Sequence, residues 1–142
     1  MVPKSCSLKI TANRIAEIYQ ELKTLKIEDA RNAIAVLLRV FLELSVDHFL
    51  EANGSSSTQK TGGGEKNKPL DKKLSEAVDI LVGKGVPKAH FAVITRSLGV
   101  KTSPMNIDLF HMYVHNQFAS PSPAELTAAW DQSQPLFEKI WP

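Results

Sequence analysis

Apolar residues along most of the chain recur at spacings of three and four, which is the period of an amphipathic helix. Residues 12–27 carry one such stripe, and residues 29–52 predict a longer helix. The middle of this second helix is apolar nearly all round, so we expect it at the centre of a bundle or in an interface. Further helices are predicted over residues 70–83, 87–98 and 105–118, and from residue 122 towards residue 141.

Strand-like alternation of apolar and polar residues does not occur in the sequence, and there is no repeat of fixed period. The pattern therefore predicts an all-α, single-domain bundle of five to seven helices. Residues 1–11 form an N-terminal extension, and residues 12–142 form one helical domain.

The segment over residues 53–68 contains no apolar side chain and holds four of the seven glycines. Such a composition cannot offset its ordering entropy by burial, so it predicts a long, mobile, disordered loop after the second helix. The run Gly62–Gly64 is not a phosphate-binding loop, because no strand precedes it and no Gly-Lys-Ser/Thr follows.

Local signals mark the two ends of the last helix. Ser122 at the N-cap, Pro123 at the first helical position and Glu125 at the third form the pattern of a capping box. Pro135 lies within the same apolar pattern and predicts a break or kink there, because proline donates no backbone hydrogen bond.

Composition and charge exclude several classes of protein. The chain has 142 residues, 17 Lys and Arg against 15 Asp and Glu, and one cysteine, Cys6. This near-neutral balance does not by itself indicate a nucleic-acid partner, and a lone cysteine excludes an intramolecular disulfide framework. The most apolar stretch, residues 33–46, is too short to cross a bilayer, so we expect a cytoplasmic protein with no membrane partner.

The central helix contains charged residues among its apolar ones. Arg39 and Glu43 are four residues apart, and Asp47 extends the same face. Because a buried unpaired charge is costly, these side chains need partners or lie at an interface. One interpretation is a structural ion pair between Arg39 and Glu43 that links this helix to a neighbour. The alternative is a polar pocket for an anionic ligand.

Two histidines, His111 and His115, lie one helical turn apart, and Asn116 follows the second. The spacing is compatible with a metal, but the residue after His111 is methionine where a zincin has glutamate, so neither a metal nor another cofactor is expected. If His115 and Asn116 face Arg39 and Glu43, the group has the chemistry of an acid–base or phosphate-binding site.

Residues 32–44, NAIAVLLRVFLEL, resemble the core helix of prokaryotic HEPN-like domains, and Tyr113–Asn116 resemble part of their last helix. The resemblance implies a dimerising helical bundle and, in active members, a metal-independent ribonuclease. It also implies an association with defence or toxin systems, or a position C-terminal to a ParB-like nuclease domain. The catalytic spacing of arginine, four to six residues and histidine is not matched. His115 is the one position that corresponds to the family's terminal histidine.

These observations predict a non-catalytic, HEPN-like interaction or dimerisation domain within a larger prokaryotic defence or nucleic-acid-processing protein. Its partner would be a second copy of the chain or another domain. One alternative is a metal-independent endoribonuclease that uses His115 and Arg39 in a composite site. A second alternative is a module that binds nucleic acid, RNA included, without cleaving it.

Overall fold

A computed structural model of the chain describes residues 1–98 and 120–142. Within these residues the protein is mainly helical and also contains one two-stranded antiparallel sheet. The predicted helix over residues 105–118 lies outside the described residues. The described elements are α1 (Asn13–Thr24), α2 (Arg31–Ala52), β1 (Thr58–Thr61), β2 (Gly64–Asn67), α3 (Leu70–Gly83), a 3-10 helix (Lys88–Phe91), α4 (Ala92–Leu98) and α5 (Pro123–Ile140).

Helix α2 lies at the centre of the described fold and packs against α1, α3 and α5. One face of α2 is buried along its whole length, from Ile34 through Leu38 and Phe41 to Val46 and Leu50. The expectation that the apolar second helix runs through the middle of a helical assembly is therefore confirmed. Burial of this face supplies the main hydrophobic contribution to folding, because that contribution scales with the apolar area removed from water.

Four aromatic side chains form the centre of this core. The ring of Phe41 lies 4.7 Å from that of Phe137, 5.7 Å from that of Tyr19 and 6.1 Å from that of Trp130, measured between centroids. Phe41, Trp130 and Phe137 are completely buried. The cluster joins α1, α2 and α5, so residues far apart in sequence hold the bundle together.

The structure differs from the all-α prediction mainly over residues 53–68, where we expected a disordered loop. Strands β1 and β2 lie within this segment and pair in the register that sets Thr58 opposite Asn67 and Thr61 opposite Gly64. Gly62 and Gly63 form the turn between the strands, and Gly64 has a positive φ of 113°, a conformation that glycine adopts readily. Apolar patterning misses this hairpin because its strands are polar, and their pairing depends on backbone hydrogen bonds.

Side chains connect this hairpin segment to α2 and α3. The Lys68 ammonium lies 2.6 Å from a carboxylate oxygen of Glu76 on α3, and Ser57 donates a hydrogen bond to Glu51 on α2. Lys72 of α3 donates to the side-chain oxygen of Gln59 in β1 at 3.1 Å. These contacts attach the hairpin segment to α2 and α3, although the segment has no apolar core of its own.

The capping box predicted for the last helix is confirmed. The Ser122 hydroxyl accepts a hydrogen bond from the Glu125 backbone N–H, and the Glu125 carboxylate accepts one from the Ser122 backbone N–H. Of the two outcomes predicted at Pro135, the break is wrong, because α5 continues to Ile140 with Pro135 inside it, and the kink stays a prediction. Buried side chains on both sides of the proline, Trp130 before it and Phe137 after it, pack in the core and offset the lost backbone hydrogen bond.

The N-terminal extension packs onto the helices. Val2, Cys6 and Leu8 are buried, and the Tyr19 hydroxyl donates a hydrogen bond of 2.9 Å to the Cys6 carbonyl oxygen. Cys6 is a free cysteine. Within the two described stretches, none of the helices has the length and apolar character needed to cross a membrane.

Burial, together with the contact to Cys6, raises the pKa of Tyr19 well above its ordinary value of 10.0. The folded state therefore favours the protonated phenol. The contribution of the raised Tyr19 pKa to stability is complete below pH 10. It is lost as the pH rises from 10 towards the folded-state pKa, by at most about 1.4 kcal/mol per pH unit.

We expect Tyr19→Phe to cost about 1 kcal/mol at pH 7, because the Cys6 carbonyl loses its donor. The variant should also lose stability less steeply above pH 10, as measured by urea unfolding at a series of pH values. Equal slopes for the two proteins would contradict the burial argument.

Candidate functional site

The charged residues of α2 form one cluster with a lysine from α3. Nη1 of Arg39 lies 3.2 Å from Oε2 of Glu43, and Nζ of Lys73 lies 3.3 Å from Oε1 of Glu43 and 2.8 Å from Oδ1 of Asp47. We call Arg39, Glu43, Asp47 and Lys73 the charge cluster. The predicted ion pair between Arg39 and Glu43 is present, and Lys73 adds the link from α2 to α3.

Lys73 is the member that sequence analysis missed. Its side chain is 0% exposed, whereas a lysine on a helix beside acidic residues ordinarily lies in solvent. A signal was present, because Lys73 shares the buried face of α3 with Leu70, Leu74 and Ala77. A lysine at a core position of an amphipathic helix requires a carboxylate partner nearby. Glu43 and Asp47, one turn apart on α2, supply two.

The geometry of the cluster favours a structural role over a ligand pocket. Two cations face two carboxylates, so the formal charges balance. Nη1 of Arg39 and Oδ1 of Asp47 are buried, and neither atom forms a hydrogen bond to a residue that the structure describes. Each lies within ion-pair distance of an opposite charge. Their stabilisation is therefore Coulombic. Because Lys73 is enclosed and Arg39 is paired, the cluster holds no free cation for an incoming phosphate.

The other predicted site residues, His111, His115 and Asn116, lie outside the described residues. The structure thus brings Arg39, Glu43 and Asp47 together and places Lys73 with them. In residues 1–98 and 120–142, no three His, Cys, Asp or Glu side chains are grouped so that they could hold a metal ion.

A second apolar stripe runs along α2 beside its fully buried residues, and three of its five members, Leu37, Val40 and Leu44, pack partly against the core. Its members recur every three or four residues and are only partly covered. Val36 is 40% exposed, Ala33 is exposed, and the remaining three are half-buried. We call this set the second stripe; its residues are Ala33, Val36, Leu37, Val40 and Leu44.

The second stripe explains why α2 is apolar nearly all round. A surface helix normally has one apolar stripe towards the core and a polar face towards water. Helix α2 has its core face, the charge cluster on one flank and the second stripe, whose members range from partly packed against the core to 40% exposed at Val36. Its exposed end, formed by Ala33 and Val36, is a small apolar surface that another molecule can contact.

The charge cluster and the second stripe are the two features of α2 that bear on function. Both involve side chains of α2, whose buried face lies in the aromatic core, and the charge cluster also includes Lys73 of α3. Comparison with known protein families, with curated proteins and with solved structures finds no match to this chain.

Proposed function

We propose that this protein is a non-catalytic, HEPN-like helical interaction domain that forms a homodimer through the second stripe of α2. The proposal rests on one observation: Val36, an apolar member of the second stripe, is exposed to solvent. Burial of that stripe in a partner would remove apolar area from water, which is the main favourable contribution to most protein association.

A second copy of the chain suits this surface better than a charged partner. The five side chains of the second stripe are all apolar, so the same patch can face itself across a twofold axis. Most soluble oligomers are closed and symmetric, and twofold dimers are the commonest of them. The resemblance of residues 32–44 to the core helix of dimerising HEPN-like domains supports the same arrangement.

The pairing within the charge cluster supports a non-catalytic role. A metal-independent ribonuclease needs a cation that stabilises charge developing on the phosphate. Arg39, the cation named for that role in the enzyme hypothesis, is already neutralised by Glu43 at 3.2 Å. A buried, unpaired Cys6 is compatible with the reducing cytoplasm as the place of action.

The proposal predicts that Val36→Asp abolishes self-association. A carboxylate in the centre of an apolar interface appears twice in a symmetric dimer, and each copy loses its hydration. We expect the dimer dissociation constant to rise by at least about 100-fold. Sedimentation velocity at micromolar concentrations measures the change.

Val93→Asp is the matched control. Val93 is 56% exposed on α4, so the same change is made on a helix outside the second stripe, and the dimer should persist. Circular dichroism of both variants checks that each retains its helices. A wild-type chain that sediments as a monomer, or a Val36→Asp variant that remains dimeric, would refute the proposal.

A further inference from the structure

A cleft of about 570 Å³ lies where the N-terminal extension, the C-terminal part of α2, the end of α3 and the end of α5 meet. Its volume falls within the range of small-molecule sites. The lining includes three lysines from distant parts of the sequence, Lys9, Lys84 and Lys139, together with His48 and Asn53. We call this feature the lysine cleft.

Among residues 1–98 and 120–142, the side chains that line the lysine cleft include no aspartate or glutamate. The chain as a whole is almost neutral, with a formal charge of +2, so three lysines with no acidic side chain from these residues beside them are a local excess of positive charge. Lys68 and Lys73 show the contrast, because both face carboxylates. Across the described part of the chain, none of the three cleft lysines forms an ion pair with an acidic side chain. A concave surface of one charge sign concentrates ligands of the opposite sign.

Lys84 is held in position by its neighbours. Its ammonium donates a hydrogen bond to Oδ1 of Asn53 and lies 5.6 Å from the centre of the Phe49 ring. The Asn53 amide is itself fixed, because Nδ2 donates to the Phe49 carbonyl oxygen at 2.7 Å. A lysine ammonium has three donor hydrogens, so Lys84 keeps donors for a ligand.

One wall of the cleft is an ordered aromatic pair. The His48 ring stacks on Trp141 with centroids 4.8 Å apart and an interplanar angle of 21°. Nε1 of Trp141 donates to the buried Ser45 hydroxyl at 3.1 Å, which fixes the indole against α2. The backbone N–H of Lys9 donates to the Trp141 carbonyl oxygen at 3.4 Å and brings the N-terminal lysine to the same wall.

We propose that the lysine cleft binds a diphosphate group, either as inorganic pyrophosphate or as part of a nucleoside diphosphate. Lysine binds phosphate as a point charge, and three ammonium groups balance the roughly three negative charges of a diphosphate at neutral pH. The volume leaves room for more than one phosphate. The Asn53 amide and the His48 imidazole add hydrogen-bonding groups beside the charges.

Calorimetric titration of the full chain with pyrophosphate, ADP and adenosine tests the proposal. Pyrophosphate and ADP should bind, and adenosine should not, since it lacks the diphosphate. Tighter binding of ADP than of pyrophosphate assigns the site to a nucleotide, whereas equal affinities assign it to the diphosphate alone; either result supports the site. Raising the salt concentration should weaken binding, because exposed charges are screened.

Lys84→Ala and Lys139→Ala should each weaken diphosphate binding by about tenfold, as expected for loss of one charge-assisted hydrogen bond. Lys26→Ala is the control, because Lys26 is an exposed lysine after α1 and outside the cleft. Binding of neither pyrophosphate nor ADP at millimolar concentration would overturn the proposal. Equal weakening by all three substitutions would overturn it as well.

The lysine cleft and the second stripe involve different residues, so their tests are independent. The Lys84→Ala and Lys139→Ala variants should sediment like the wild type, and Val36→Asp should retain diphosphate binding. Failure of the titration would leave the dimer proposal standing, and failure of the sedimentation test would leave the cleft standing.

Discussion

Replacing Lys73 with methionine is expected to lower the free energy of unfolding by about 3 kcal/mol. The Lys73 side chain is completely enclosed, and its ammonium contacts carboxylate oxygens of both Glu43 and Asp47. The substitution keeps the apolar length of the side chain and removes the charge, so two carboxylates remain close together without it. The effect is at the lower end for a broken buried ion pair, because Glu43 and Asp47 are partly exposed and water can reach them. Urea unfolding followed by circular dichroism measures the loss.

The neighbouring Lys72→Met is the matched control. Lys72 is exposed, and its ammonium donates to the amide oxygen of Gln59, so its removal should cost less than about 0.5 kcal/mol. Combining Lys73→Met with Asp47→Asn should recover part of the stability, because the repulsion between the two carboxylates is then gone while Glu43 still pairs with Arg39. A loss below about 1 kcal/mol for Lys73→Met alone would show that the charge cluster does not hold α3 to α2.

Replacing Phe41 with alanine is expected to destabilise the fold by about 3–5 kcal/mol. Phe41 is 0% exposed, and its ring contacts aromatic side chains from α1 and α5. Removing the ring leaves a cavity bordered by Tyr19, Trp130 and Phe137, which cannot collapse without moving two helices. Urea unfolding monitored by tryptophan fluorescence is a direct measurement, because Trp130 lies beside the cavity.

Phe41→Leu separates loss of the aromatic ring from loss of volume. Leucine fills most of the space, so its expected cost is only about 1–1.5 kcal/mol. Equal effects of alanine and leucine would mean that the cavity is not the source of the destabilisation. An alanine variant as stable as the wild type would contradict the central position of α2 in the core.

The three faces of α2 connect its stability to the proposed function. The buried face orients the helix through the aromatic cluster, and the charge cluster holds α3 along one flank. Within the second stripe, Ala33 and Val36 then remain accessible. We therefore expect Lys73→Met and Phe41→Ala to weaken dimerisation only through loss of folded protein, whereas Val36→Asp acts on the interface itself.

Part of the candidate site was predictable from sequence because its determinants are local. Arg39 and Glu43 are four residues apart on one helix, and residues at this spacing lie next to each other on the helix surface. The partner of Glu43 and Asp47 was not predictable in the same way. Lys73 follows after a hairpin, and only the packing of α3 on α2 brings its ammonium to the two carboxylates.

The hairpin shows the limit of apolar patterning. Residues 53–68 have no hydrophobic side chain, so the composition predicted disorder. The Gly62-Gly63 turn was a local signal for a hairpin, and glycine pairs are common in such turns. Contacts of Lys68 with Glu76 and of Lys72 with Gln59 connect this segment to α3, and those contacts depend on where α3 lies.

The sequence by itself determined the local elements: the helical stripe of α2, the capping box at Ser122 and the end of α3 before Gly85, which has a positive φ of 92°. These features depend on residues within a few positions of one another, so periodicity and capping rules suffice. Only the tertiary structure decided that Lys73 is buried and that Lys9, Lys84 and Lys139 line one cleft. Such groupings arise from the packing of distant segments, and a one-dimensional pattern contains no distance between them.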